Sequence, residues 1–313
     1  MKPLKIHHRL MIFLLLALAL TCVISPWMAL GADWVASRWP FLLDERVPFA
    51  RVFNRSFMIA GIGLFIAGRR LLLPTEIKPL LVTKPSIAWR GFFTGWGLAL
   101  ASVVLLLAAM TAAEVYTPFF RLSLGRSMLR IASAFASGAF IGLMEEIFFR
   151  GLLFIGLFRQ GHPLRAYILA NLFYSALHFV KPGKEYFLDH LELLAGFRHL
   201  ITTFQPFLEP ATLLPGLISL LLLGIVLSYA LVRTGNLYLS IGLHAGWIFG
   251  VKTVRVFGDY SRADLGWLFG ITDPKIVSGV ASWIGILLIG LAIMRLTREG
   301  SQLATARHLA KAF

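Results

Sequence analysis

Long apolar runs separated by short polar connections set the pattern of this chain. Eight stretches, near residues 10–31, 56–73, 91–113, 131–157, 164–181, 212–232, 237–254 and 277–296, are dominated by aliphatic and aromatic residues with few charges. A helix of about 20 such residues crosses the roughly 30 Å of bilayer hydrocarbon. The pattern therefore predicts an all-α fold of about eight transmembrane helices in one integral membrane domain over residues 1–313. No internal repeat or low-complexity tract interrupts it.

Composition fixes the solvent. Hydrophobic residues make up 58% of the chain and charged residues only 14%, with a mean hydropathy of +0.78, against about 25% charged in soluble domains. This is the balance of a multi-pass membrane protein. The net charge of +15 is spread over short connections rather than massed on one element. It reads as anchoring at anionic headgroups of the lipid bilayer and excludes nucleic acid as a partner. The single cysteine, Cys22, lies inside the first run, so no intrachain disulfide is expected.

The first run follows the basic start MKPLKIHHR and ends near Ala29-Leu30-Gly31, which resembles a signal cleavage site. Its continuation through Trp27 and Met28 favours an uncleaved span. Lys and Arg are divided almost evenly between the two sides, but the short connection holding Arg69, Arg70, Lys78, Lys84 and Arg90, and the tail holding Arg298, Arg307 and Lys311, place both termini on the cytoplasmic side. Two longer connections, 181–211 and 252–275, then fall outside, as a mouth, an amphipathic surface segment or ordinary loops. The compact chain points to a bacterial inner membrane.

One run is chemically unusual. Residues 142–154 read GLMEEIFFRGLLF, with Glu145, Glu146 and Arg150 inside apolar surroundings. An ionisable group at membrane depth costs at least about 2.5 kcal/mol, so it is usually paired, inward-facing and functional. On a helix Glu146 and Arg150 are i,i+4 neighbours able to form an ion pair, while Glu145 is rotated by about 100° and stays available for proton chemistry. His178 and His244 sit at similar depth in later runs. Two carboxylates and two imidazoles on three helices supply a base and anion-stabilising donors. The same groups would also serve a polar clasp between helices, or a proton relay in a transporter.

Glu145-Glu146-x-x-x-Arg150, Tyr174-x-x-x-His178 and the later His244 resemble the three motifs of the CAAX-protease and bacteriocin-processing family of glutamic-type intramembrane proteases, over about 131–254. The resemblance implies that Glu145 activates a water for peptide hydrolysis, that His178 holds that water, that Glu146 and Arg150 fix the helix and its electrostatics, and that His244 stabilises the oxyanion. The family commonly places Asn or Asp four residues after the last histidine; here that residue is Ile248. Helical phase offers Asn171 or the indole of Trp247 as the replacement donor for oxyanion or substrate.

Two histidines and a carboxylate can also hold zinc, and family members have been described as metalloproteases. No His-Glu-x-x-His spacing occurs, so a metal-free mechanism without cofactor is expected. The implied substrate is a membrane-anchored peptide or protein. The alternatives are a proton-coupled transporter, or a non-catalytic scaffold built on the same polar cluster.

Overall fold

The computed structural model describes residues 6–39, 47–72, 78–180, 186–262, 264–270 and 278–297. The basic tail read as cytoplasmic, from Arg298 onward, lies outside the described residues. Twelve α-helices follow in chain order among those described: α1 Ile6–Arg38, α2 Phe49–Leu72, α3 Lys78–Leu81, α4 Pro85–Ala112, α5 Leu124–Glu145, α6 Ile155–Phe158, α7 Pro163–Leu177, α8 Ala195–Thr202, α9 Pro210–Thr234, α10 Tyr238–Thr253, α11 Gly266–Phe269 and α12 Val280–Leu296. A π-helical segment, Glu146–Phe154, joins α5 to α6 without a break. The fold is all-α, and each of the eight apolar runs contains a helix.

Among the described residues three helices are long and apolar enough to cross a membrane, Met11–Arg38, Pro85–Ala112 and Leu213–Thr234, and Val280–Leu296 is a shorter apolar one. The other four runs differ from these in charge or in length. Helix α2 carries Arg51, Arg55, Arg69 and Arg70, α5 carries Arg126, Arg130 and Glu145, and α7 and α10 have 15 and 16 residues. The protein is integral to the membrane through its apolar helices.

The chain divides into two compact units, Met1–Pro74 with Ala176–Leu213, and Thr75–Ser175 with Leu214–Phe313. In the first, α1 packs on α2 and on α8 around Cys22, Ala29, Phe49, Val52 and Phe53. In the second, α10 is the innermost element. Its residues Leu239 to Trp247 are all buried, as expected of a helix apolar all round.

Small residues let α10 approach its neighbours. A Cβ on Gly242 would overlap the carbonyl oxygen of Phe92 on α4, one on Gly95 would lie 2.7 Å from the Leu243 nitrogen, and one on Gly246 would lie 2.7 Å from Ala99 Cβ. On the other side, a Cβ on Gly138 of α5 would sit 2.9 Å from the Ala245 carbonyl oxygen. Without a hydrophobic drive between helices in lipid, such close backbone approach supplies the van der Waals contact that holds them.

The described part of the connection 252–275 holds more than a plain loop. Gly258–Tyr260 pairs antiparallel with Tyr116–Pro118, Tyr116 facing Tyr260, and the Tyr116 hydroxyl donates to the Val254 carbonyl at 2.8 Å. Aromatic and β-branched residues at Tyr116, Thr117 and Tyr260 favour this short ribbon over a helix.

Gly242→Ala is expected to destabilise the protein by about 1–3 kcal/mol, because overpacked atoms must move backbone. Gly97→Ala, where a Cβ meets nothing within 4 Å, should leave stability unchanged or higher. Thermal unfolding of both variants in detergent checks this.

Candidate active site

The change from α to π winding falls between the two adjacent carboxylates. Glu145 is the last residue of α5 and Glu146 the first of the π segment. A π turn closes i→i+5 bonds, is rare, and is frequent at functional sites. Within it Glu146, Phe149, Arg150, Gly151, Leu152 and Phe154 are buried. Glu146 is fully enclosed, whereas the Glu145 side chain keeps 28% of its surface exposed.

One oxygen of Glu146 gathers two partners from two helices. Its Oε1 accepts a hydrogen bond from Arg150 Nη1 at 2.8 Å and one from His244 Nδ1 on α10 at 2.8 Å. Because a carboxylate only accepts, Nδ1 carries the proton. The other imidazole nitrogen, Nε2, then faces Glu145 Oε2 at 3.6 Å. This is longer than a direct hydrogen bond.

Arg150 is wholly buried, with its guanidinium 4.3 Å from the centre of the Tyr174 ring. That ring meets Phe149 edge-on at 4.9 Å and His244 at 6.2 Å. The contact is a desolvated cation–π pair, of order 2 kcal/mol, and Tyr174 acts as a lid over the ion pair. Glu146 Oε2 and Arg150 Nε and Nη2 make no hydrogen bond among the described residues. The ion pair is therefore single-pronged, and His244 shares its one bonded oxygen.

The two side chains expected as replacement oxyanion donors each make hydrogen bonds to their surroundings. Asn171 donates to the Tyr167 carbonyl at 2.8 Å and accepts from Ser228 of α9 at 3.2 Å. It packs so tightly on α9 that a Cβ on Gly224 would lie 2.7 Å from its Oδ1. The indole of Trp247 donates to Ser102 Oγ of α4 at 3.0 Å. Neither Ser228 nor Ser102 stood out in the sequence, since single hydroxyls in apolar runs give no signal there.

Ile248 lies one helical turn after His244, and its Cγ2 is 3.6 Å from where a Cβ on Gly138 of α5 would be. An apolar contact between helices fills the position at which the family has an amide or acid.

His178 was expected inside a helix reaching residue 181. Helix α7 stops at Leu177, and His178, half-buried, lies in the turn closed by Phe179 N–H to the Ala176 carbonyl at 3.0 Å. Pro182 and Gly183 follow in the sequence, and both disfavour continued helix. His178 belongs to the first compact unit and the Glu145, Glu146, Arg150 and His244 cluster to the second.

As for a metal, no group of three His, Cys, Asp or Glu side chains among the described residues is placed to hold one. His244 spends Nδ1 on Glu146, which leaves Nε2 as its remaining ring nitrogen.

Residues 126–250 match a protease family. The matching description is Type II CAAX prenyl endopeptidase Rce1-like. The match takes in α7, α9, the π segment and nearly all of α5 and α10, and with them every residue of the buried cluster. The likeness to the CAAX-protease family read from the motifs thus rests on the same stretch. No curated protein and no solved structure matches the chain.

Two substitutions separate the carboxylates by their effect on stability. Arg150→Met, which strands a buried charge, should cost about 3–5 kcal/mol, while Glu145→Gln at the part-exposed neighbour should cost under about 1 kcal/mol. Denaturant or thermal unfolding in detergent reads both.

Proposed function

We propose that the protein is an intramembrane endopeptidase that hydrolyses peptide bonds of membrane-associated substrates with water activated by Glu145. The observation that supports this most is the unequal treatment of the two carboxylates. Glu146 is enclosed and bonded to both Arg150 and His244, while Glu145 is part-exposed beside the Nε2 edge of the same imidazole. One carboxylate builds the site and the other meets the reactants.

In this reading Glu145 takes a proton from water as its oxygen attacks the peptide carbonyl. The C=O π electrons move onto oxygen, forming the tetrahedral oxyanion. Glu145 passes its proton to the leaving nitrogen, the C–N bond breaks, and the products are a carboxylic acid and an amine. General-base catalysis of this kind contributes about 10²–10⁴-fold.

His244 is the oxyanion-stabilising donor in this scheme. With Nδ1–H held by Glu146, a hydrogen bond from Nε2 requires the doubly protonated ring, and Glu146 and Glu145 then flank that charge on both sides. Asn171 and Trp247, engaged by Ser228 and Ser102, are assigned support of α7 and α10 rather than oxyanion binding. The mechanism is metal-free, and the setting is a bacterial inner membrane.

The test is cleavage of tail-anchored peptides by purified protein, with and without chelator. Glu145→Gln should lower the rate by about 10²–10⁴-fold with stability kept, and His244→Ala by about 10²–10³-fold. Full activity in Glu145→Gln would remove the base assignment. Loss with chelator and recovery with zinc would overturn the metal-free scheme, and proton uptake without cleavage would favour a transporter.

A further inference from the structure

The connection between α7 and α9 is unlike a water-facing loop. Its helix α8 turns small or enclosed residues, Ala195, Gly196 and His199, toward the first compact unit. Its outward side is largely apolar, with Arg198 and Gln205 as the polar exceptions: Leu193, Leu194, Phe197, Ile201, Phe204 and Leu208 are 61, 67, 42, 73, 48 and 81% exposed. Exposed apolar area costs roughly 25 cal/mol per Å² in water, and here the sense of amphipathicity is reversed for an aqueous surface.

The backbone of this stretch is prepared for an apolar medium. Thr203 N–H donates to the His199 carbonyl, Phe204 N–H to Ile201, Phe207 N–H to Phe204 and Glu209 N–H to Pro206, at 3.0 to 3.2 Å. The hydroxyls of Thr202 and Thr203 close onto the carbonyls of His199 and Leu200 at 2.7 and 2.6 Å. Acyl chains accept such backbone because its polar groups are satisfied locally. From Leu200 through Leu208 no residue is ionisable, and the flanking Arg198 is paired with Glu192.

Depth follows from where α8 docks. Gly196 lies on the backbone of Cys22, so close that a Cβ would overlap the Cys22 carbonyl oxygen. Cys22 is 11 residues into the membrane-length helix Met11–Arg38, about 16 Å along its axis at 1.5 Å per residue. On the same helix Leu16, Leu20, Val23 and Trp27 are exposed apolar side chains.

We infer that residues 193–208 are seated in lipid, with Leu194, Phe197, Ile201, Phe204 and Leu208 against acyl chains of one leaflet. The partner of this face is the bilayer rather than water or another protein. The placement holds whether or not the second unit is a protease.

Spin labels on Ile201→Cys and Leu208→Cys in proteoliposomes test this, with Arg262→Cys as an exposed aqueous site and wild type as the control for buried Cys22. Both labels should show an oxygen-to-nickel-chelate accessibility ratio several-fold above that at 262. A ratio equal to that at 262 overturns the inference in favour of an aqueous loop. Low access to both reagents overturns it in favour of a protein cover, a second copy if the labels also broaden one another. Two labels at opposite ends of the segment keep the outcome readable if one variant fails to fold.

Discussion

Everything in the second unit turns on the Glu146 carboxylate. Enclosed from solvent, it is tolerable only because Arg150 and His244 reach the same oxygen at 2.8 Å; desolvating an isolated carboxylate costs many kcal/mol. That requirement fixes more than a charge pair. It sets the tautomer of His244, locks α10 to the π segment, and leaves the second imidazole nitrogen facing Glu145.

Such short contacts demand that the helix backbones come unusually close. Gly242 and Gly246 allow α10 to press on α4, and Gly138 allows α5 to press on α10 from the other side. Packing and electrostatics are therefore coupled: a methyl inserted between helices lengthens the bonds of a carboxylate whose burial is affordable only at full length of contact. Tyr174 closes the arrangement by covering the Arg150 guanidinium.

The surface obeys the same economy of polar groups. Where the chain is apolar outward, as around α8, the hydroxyls of Thr202 and Thr203 and several backbone N–H groups bond to carbonyls of the same segment. Where charge remains, as at Arg262 and Asp264, the groups pair in exposed connections.

Much of this was legible in the sequence. Apolar runs fixed eight helical stretches and an all-α fold, because burying backbone polar groups in lipid leaves the helix as the default local structure. The spacing of Glu146 and Arg150 announced an ion pair, since i,i+4 neighbours share a helix face. Tertiary structure alone decided the rest: the π winding from Glu146, the sharing of one oxygen by Arg150 and His244, the end of α7 before His178, and the engagement of Asn171 by Ser228 and Trp247 by Ser102. These depend on which faces of distant helices meet and at what height. Hydrophobic periodicity is nearly silent about that in helices apolar all round, because rotating such a helix changes its partners without changing its burial.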